Sequence, residues 1–274
     1  MNELKEKTRI SETKIKKFHE KIFVWWKKNK RHLPWRETTN PYYIMISEIM
    51  LQQTQVNRSI EKYLEFIKKY PTIKELAEAS VSSVLKSWSG LGYNRRALWL
   101  HEAANQIVKL KEFPKTQGEL QKLKGIGPYT SRSILIFAFN YDIATVDTNI
   151  RRILIAENFA KEQTKENELF ILAQKLLPKG KARDWHNALM DYGSLVLTSA
   201  KTGIKPKTVT SNNSKENRRF RGIIVKYLTR ISKAKKEQMV KDCNIPMKKI
   251  DDILVGLIAD GLVAKTKKYY KLPD

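Results

Sequence analysis

Hydrophobic positions along this chain recur at helical spacing, not alternately, almost from end to end. Ile15, Phe18, Ile22, Trp25 and Trp26 mark one face of a first amphipathic helix. Asn40-Pro41 is a helix start, with Asn as the cap and Pro at the first helical position. The run YYIMISEIMLQQTQV behind it is too apolar to lie on a surface. The same spacing predicts helices over 59–69, 81–88, 94–111 and 116–122. Another begins at Pro128 and stays apolar through Phe139, and later ones fall near 149–158, 166–176 and 184–197. The spacers are short and carry Pro, Gly or Asn, as in compact helical domains. The expected fold class is mainly α.

The pattern changes near residue 199. SAKTGIKPKTVTSNNSKE (199–216) is polar, has no hydrophobic period and reads as a basic linker. Beyond it, RFRGIIVKYLTRI, SKAKKEQMVKDCN and PMKKIDDILVGLIADGLV predict three helices, and AKTKKYYKLP a hairpin. Three helices and a hairpin make a winged helix. The expected domains are therefore 1–198, the linker 199–216, and a winged-helix-like unit over 217–274.

Composition narrows the partner. The 274 residues carry a formal charge of +25, and 41% are hydrophobic, enough for a packed core. From 218 onward 15 Lys and Arg face 6 Asp and Glu, which puts +9 on the tail and +16 on the rest. Such a balance predicts a polyanionic partner, DNA or RNA, against the plainer alternative of solvated lysines. A single cysteine, Cys243, excludes internal disulfides and any site built on several cysteines, and the four histidines have no metal-ligand spacing. With no membrane-length apolar run and no signal-peptide core in MNELKEKTRI, the chain reads as soluble and cytoplasmic.

The richest chemistry lies between Leu123 and Asn149. Gly125-Ile126-Gly127 is a turn between two helices, and the N–H groups it bares, with Thr130 close behind, suit a phosphate. Asp147 is a lone carboxylate in an apolar context, suited to stabilising positive charge or to capping the next helix. Asn149 stands where it can orient that carboxylate or a water. Glu48, between Ile46 and Ile49, is either a proton donor tuned by desolvation or the partner of a core arginine such as Arg36. Tyr129 opens the second hairpin helix, where a lysine would be a Schiff-base nucleophile and a tyrosine is not. Gln52, Gln53 and Gln55 offer amides to base edges, and Leu51 an apolar wedge, or they form an ordinary helix surface. Tyr93, in SGLGYNRRA, stacks on bases with Arg95 and Arg96 on phosphates, or packs as a core tyrosine near a turn.

LPWR (33–36), SEIMLQQTQV (47–56), GLGYNRRA (90–97), LKGIGPYT (123–130), VDTNIRR (146–152) and NALMDYGSLV (187–196) follow one another in an order that resembles the helix-hairpin-helix DNA glycosylases, nearest their MutY-type adenine branch. The resemblance covers residues 15–198. It implies a two-lobed helix-hairpin-helix fold and excision of adenine mispaired with 8-oxoguanine or guanine. It implies that Glu48 protonates adenine at N7, that Asp147 stabilises or attacks the sugar cation, and that Asn149 is its polar neighbour. Tyr129 occupies the position of the lysine of bifunctional relatives, implying a monofunctional enzyme. Gln53 and Tyr93 match residues beside the orphaned guanine or 8-oxoguanine, with Leu51 in the same wedge, and Gln52 adjoins them. Trp35 and Arg36 match pocket residues near the flipped base, and Asn187 stands where relatives carry Glu or Gln.

The departures from that pattern are specific. Leu197 stands at the first cysteine position of the family's iron–sulfur cluster, so the chain resembles the cluster-lacking branch, with no cofactor beyond a monovalent cation at the hairpin. The tail resembles a winged helix instead of the Nudix-like domain of many members. The implied partner is duplex DNA holding a mismatch or oxidised base, bound by a monomer. Two alternatives stay open: a thymine or uracil glycosylase acting at T:G or U:G, and a non-catalytic DNA-binding protein.

Overall fold

The structure is a computed structural model and describes residues 10–205 and 213–274. Several of its helices begin where a capping side chain satisfies one of the first N–H groups. Helix α1 (Glu12–Asn29) is capped by Ser11, which accepts from Lys14 N. A single 3-10 turn (Pro34–Arg36) leads to α2 (Pro41–Leu51), almost wholly buried. Then come α3 (Val56–Lys69), α4 (Ile73–Glu78), α5 (Val81–Trp88), α6 (Arg95–Leu110) and α7 (Gln117–Gln121). Helices α8 (Pro128–Phe139), α9 (Thr148–Ala156), α10 (Glu166–Lys175), α11 (Ala182–Leu195) and the short α12 (Ser199–Thr202) follow. The C-terminal part holds α13 (Asn213–Leu228), α14 (Lys236–Cys243), α15 (Met247–Ala259) and the strands β1 (Ala264–Thr266) and β2 (Tyr269–Lys271). No described helix is long and apolar enough to cross a membrane.

Packing divides the chain into two units at places other than 198 and 216. Of the described residues, the first joins 10–41 to 127–205, and the second joins 42–126 to 213–274. In the first unit, α1 packs on α11 around Phe18, Ile22, Trp26, Ile150, Trp185 and Leu189. Helices α9 and α11 pack closely in the same unit. In the second, α4, α5 and α6 pack together around Phe66, Leu76, Leu85, Trp88 and Leu100. The C-terminal residues 213–274 group with this second unit.

The tail is a three-helix unit with a wing. β1 and β2 pair antiparallel, Ala264 opposite Lys271, and Ala234 adds a bridge to Tyr270 through two backbone bonds of 2.9 and 2.8 Å. The linker expected over 199–216 is partly helical. Ser199–Thr202 forms a turn capped by Thr198, Ile204 is buried, and α13 starts at Asn213. Residues 206–212 of that segment, and the N-terminal stretch 1–9 read for signal-peptide features, lie outside the described residues.

Candidate nucleic-acid interface and carboxylate site

In the first unit Asp147 is the N-cap of α9. Its Oδ1 accepts from Ile150 N at 2.7 Å and its Oδ2 from Asn149 Nδ2 at 3.0 Å. Cap and candidate catalytic group are thus one residue, and Asn149 orients it as its position suggested. Behind Asn149 stands Arg152, whose Nη2 donates to Asn149 Oδ1 at 2.6 Å and to Gly193 O at 2.8 Å, while its Nε donates to the Leu197 carbonyl. Burial pushes the Asp147 carboxyl above its ordinary range, against the bonds from Ile150 and Asn149 and the charge of Arg152. Both oxygens accept N–H bonds, which suits the ionised form. A carboxylate so fixed and half-buried stabilises a neighbouring cation more strongly than a fully solvated one.

Gly193 makes this arrangement possible. A Cβ there would lie 2.8 Å from Asn149 Cβ and 3.3 Å from Ile153 Cδ1. The absent side chain lets α9 lie against α11 with Asn149 in place.

Arg36 pairs with Asp191 within the first unit. It grips the fully buried Asp191 with two bonds of 2.8 and 2.9 Å, and Arg31 Nε and Trp26 Nε1 add bonds of 2.5 and 2.9 Å. Burial pushes the Asp191 carboxyl up, but Arg36 and Arg31 overcome it and hold it below the usual carboxylate range. Arg36 is therefore half of a fold-holding ion pair, with both terminal nitrogens bonded inside the protein. Trp35 and Asn187 are also buried.

Tyr129 sits half-buried in the first turn of α8, and Thr130 beside it is buried. The chain crosses from one unit to the other at Ile126–Gly127. On the second unit's side, Gly125 has φ +76°, and a Cβ there would strike Trp99 Cβ at 2.7 Å. The hairpin turn therefore needs glycine twice over, for its backbone and for Trp99.

Also in the second unit, Glu48 lies half-buried on α2 among buried Ser47, Ile49 and Met50. The loop after it places Gln53 at φ 55°, exposed, and the loop before α6 places Tyr93 at φ 48°, 45% exposed. Left-handed backbone at two bulky residues is strained and is kept where surrounding structure enforces it. Arg96 enforces it here. Its guanidinium donates to the carbonyls of Ile49, Met50, Gln52 and Gly92 and to Thr54 Oγ1, at 2.5–3.1 Å. It caps the C-terminus of α2 and ties the Gln53 loop to the Tyr93 loop. Burial lowers its pKa to about 10. Arg96 was expected on phosphate with Arg95. It is 4% exposed and holds the two loops instead. Arg95 remains half-exposed over Trp99. Leu51 and Gln52 are half-buried beside Gln53.

Asp191, Arg152, Gly193 and Trp99 escaped the sequence reading. The first and third stand inside NALMDYGSLV and the second inside VDTNIRR, but nothing local marks their partners. As to a cofactor, the only cysteine is Cys243 on α14, and the backbone at Leu197 is engaged by Arg152. Among the described residues no three His, Cys, Asp or Glu side chains gather as metal ligands. The residues present do not fit a thiolate-held cluster.

A helical scaffold carrying a glycine hairpin, a capped carboxylate and a strongly basic surface defines a class of proteins that act on DNA. Residues 46–179 match the HhH-GPD superfamily of base excision DNA repair proteins, and the chain belongs to that family. It is 32% identical over 263 residues to an adenine DNA glycosylase of Arabidopsis thaliana, covering 82% of this chain and 41% of that protein. It is 36% identical over 211 residues to the adenine DNA glycosylase of Buchnera aphidicola subsp. Baizongia pistaciae, covering 74% of this chain and 60% of that one. It thus spans less than two thirds of either relative. Among solved structures, a thermostable thymine-DNA glycosylase superposes with TM-score 0.64 at 30% identity, covering 69% of this chain and 90% of that one. A non-covalent endonuclease III–DNA complex superposes with TM-score 0.62 at 17% identity, covering 73% of this chain and 91% of that one, which shows a shared fold.

Proposed function

We propose that this protein is a monofunctional DNA glycosylase that excises adenine opposite 8-oxoguanine or guanine. The observation that carries the reading is Asp147, held at a helix N-cap by Ile150 N and Asn149 with a pKa shifted by burial, in a family of base excision repair proteins. The basic surface binds duplex DNA through phosphates, and the mispaired nucleotide is flipped out at a cost lowest for a mismatch. Glu48 donates a proton to adenine N7, and the C1′–N9 bond breaks with its electrons going to the base. Asp147 stabilises the sugar cation so formed. A water adds at C1′ and returns a proton to Glu48, leaving an abasic site. Tyr129 has no amine to form an imine with the opened sugar, so the strand stays intact. The reading needs no redox cofactor.

Similarity to adenine DNA glycosylases at 32–36% identity supports adenine as the target. The thymine-DNA glycosylase likeness at 30% identity supports a second reading, excision of thymine or uracil opposite guanine. The exposed, strained Gln53 and Tyr93 favour the first. Single-turnover excision decides it, on duplexes holding A opposite 8-oxoguanine, A opposite G, T opposite G and U opposite G, each developed with and without alkali. Alkali-dependent cleavage of the adenine duplexes is the expected result. Product confined to T:G or U:G overturns it.

A further inference from the structure

The second unit contains an open groove of about 1150 Å³ that the proposed chemistry does not use. One wall is the Gln53 and Tyr93 loops, and the other is α13 with the end of α15. Six arginines line it against one acidic residue, Asp260. That carboxylate is already taken, receiving Arg221 and, at 3.4 Å, Arg95. Gly256 leaves room for the Arg221 guanidinium, since a Cβ there would lie 2.6 Å from Nη1. Through this clasp α13 is fastened beside α6, and Arg218 Nη1 donates to the Tyr93 hydroxyl at 3.3 Å. Arg219, next to it, is exposed. Asp260 offsets one of the six guanidinium charges, so the groove keeps a surplus of positive charge, with Arg58 and Arg219 exposed along it. A groove this large and charged is unlike an apolar small-molecule pocket. Forked guanidinium donors beside a projecting aromatic match a nucleic-acid strand, with phosphates on the arginines and a base near the ring.

We propose that α13 is part of the DNA interface, and that Arg218 and Arg219 bind phosphates of the strand opposite the excised nucleotide, next to the base faced by Gln53 and Tyr93. This rests on the glycosylase reading for which strand is which. It assigns the tail a task other than a winged helix docked by its own recognition helix.

The test is binding of the full chain to duplex DNA across a salt series. In Arg218→Ala/Arg219→Ala the slope of log K against log salt should fall by roughly 2, about 0.9 for each lost phosphate contact. Affinity should fall roughly tenfold or more. Lys226→Ala/Arg230→Ala removes two charges from the same helix and the turn after it, outside the groove, and should leave the slope near that of the parent. Arg218→Lys/Arg219→Lys should restore the slope, and circular dichroism verifies that each variant is folded. Uncharged methylphosphonate linkages beside the base opposite the target should weaken the parent but add nothing to the Ala pair, as expected for two changes to one contact. An unchanged slope in the Ala pair, an equal fall in the Lys226/Arg230 control, or non-additivity with linkages in the target strand overturns the proposal. A reduced slope in the Ala pair with no excision of adenine supports α13 as DNA-binding while refuting the adenine reading, so the two failures are separate.

Discussion

Gly193→Ala tests the carboxylate site through a residue that touches no substrate. Position 193 lies inside α11, where alanine is intrinsically favoured over glycine by about 1 kcal/mol. Against that, the new methyl would sit 2.8 Å from Asn149 Cβ and 3.4 Å from Asn149 Cα, so backbone as well as side chain is in the way. Ordinary contact begins near 3.4 Å, so Asn149 must retreat by about 0.6 Å. Overpacking of this kind costs about 1–3 kcal/mol, leaving a net loss of stability of about 0–2 kcal/mol. The effect on rate should be larger in proportion. Asn149 fixes Asp147 Oδ2 at 3.0 Å, and a displacement of about 1 Å in a positioned group costs on the order of 100-fold. Single-turnover excision with enzyme in excess should slow roughly 10-fold or more, with Kd for the duplex unchanged within about threefold. Gly118→Ala, in a helix where the added Cβ meets nothing within 4 Å, separates the clash from helix propensity and should leave the rate intact. A full excision rate in Gly193→Ala, or a rate loss matched by the loss in Kd, refutes the idea that Asn149 holds the reacting carboxylate.

Asp147→Asn keeps a good N-cap but removes the charge, so excision should fall by at least about 100-fold while duplex binding persists. Binding lost in step with activity would contradict the assigned role. Tyr129→Lys should give strand cleavage and a borohydride-trapped adduct, and its absence would show that the position does not reach the sugar. His186 supplies a pH signature. It is 1% exposed, its Nε2 accepts from Thr145 N at 3.1 Å, its Nδ1 donates to Ala182 O at 2.7 Å, and burial lowers its pKa to about 4. The folded value lies below the unfolded one of about 6.5, so unfolding takes up a proton, and this stability is complete above pH ~6.5 and lost as pH falls towards 4. The loss should reach about 3 kcal/mol. Urea unfolding between pH 7 and 4.5 should show it, and the excess slope should vanish in His186→Gln.

Much of the fold was legible because its cues are local. Helices at 81–88 and 128–139 have the predicted bounds, since Ser80 caps the first and Gly127-Pro128 starts the second. The six-residue α4 was missed because it is too short to show a period, although its capping box of Thr72 and Glu75 is present in the sequence. The linker was read from polarity alone, which hides a helix that buries little: α12 has no buried residue and its anchor, Ile204, comes after it. Asp147 and Asn149 were legible because cap and partner are two residues apart. Asp191 with Arg36, and Arg152 with Gly193, were not, because those bonds join residues 155 and 41 positions apart.

The arginines carry the more general point. A charge of +25 predicts a nucleic-acid partner but not which cations meet it. Arg36, Arg96 and Arg152 all lie in motifs that carry the resemblance, and each has a buried side chain that donates to a carboxylate or to carbonyls. A guanidinium has five donors in a rigid fork, so one buried arginine can close several unsatisfied carbonyls at once, as Arg96 does at the end of α2. That use fixes the loops from which Gln53 and Tyr93 project and the cap that holds Asp147. The proposed phosphate contacts of α13, Arg218 and Arg219, come from outside those motifs. Replacing Arg96 should therefore not act as the loss of one phosphate contact. Arg96→Lys keeps the charge but cannot span four carbonyls and a hydroxyl, so it should lower Tm by several degrees and weaken binding to mismatched duplex more than to matched duplex. A salt slope reduced by about 1 with Tm unchanged would return Arg96 to the DNA surface.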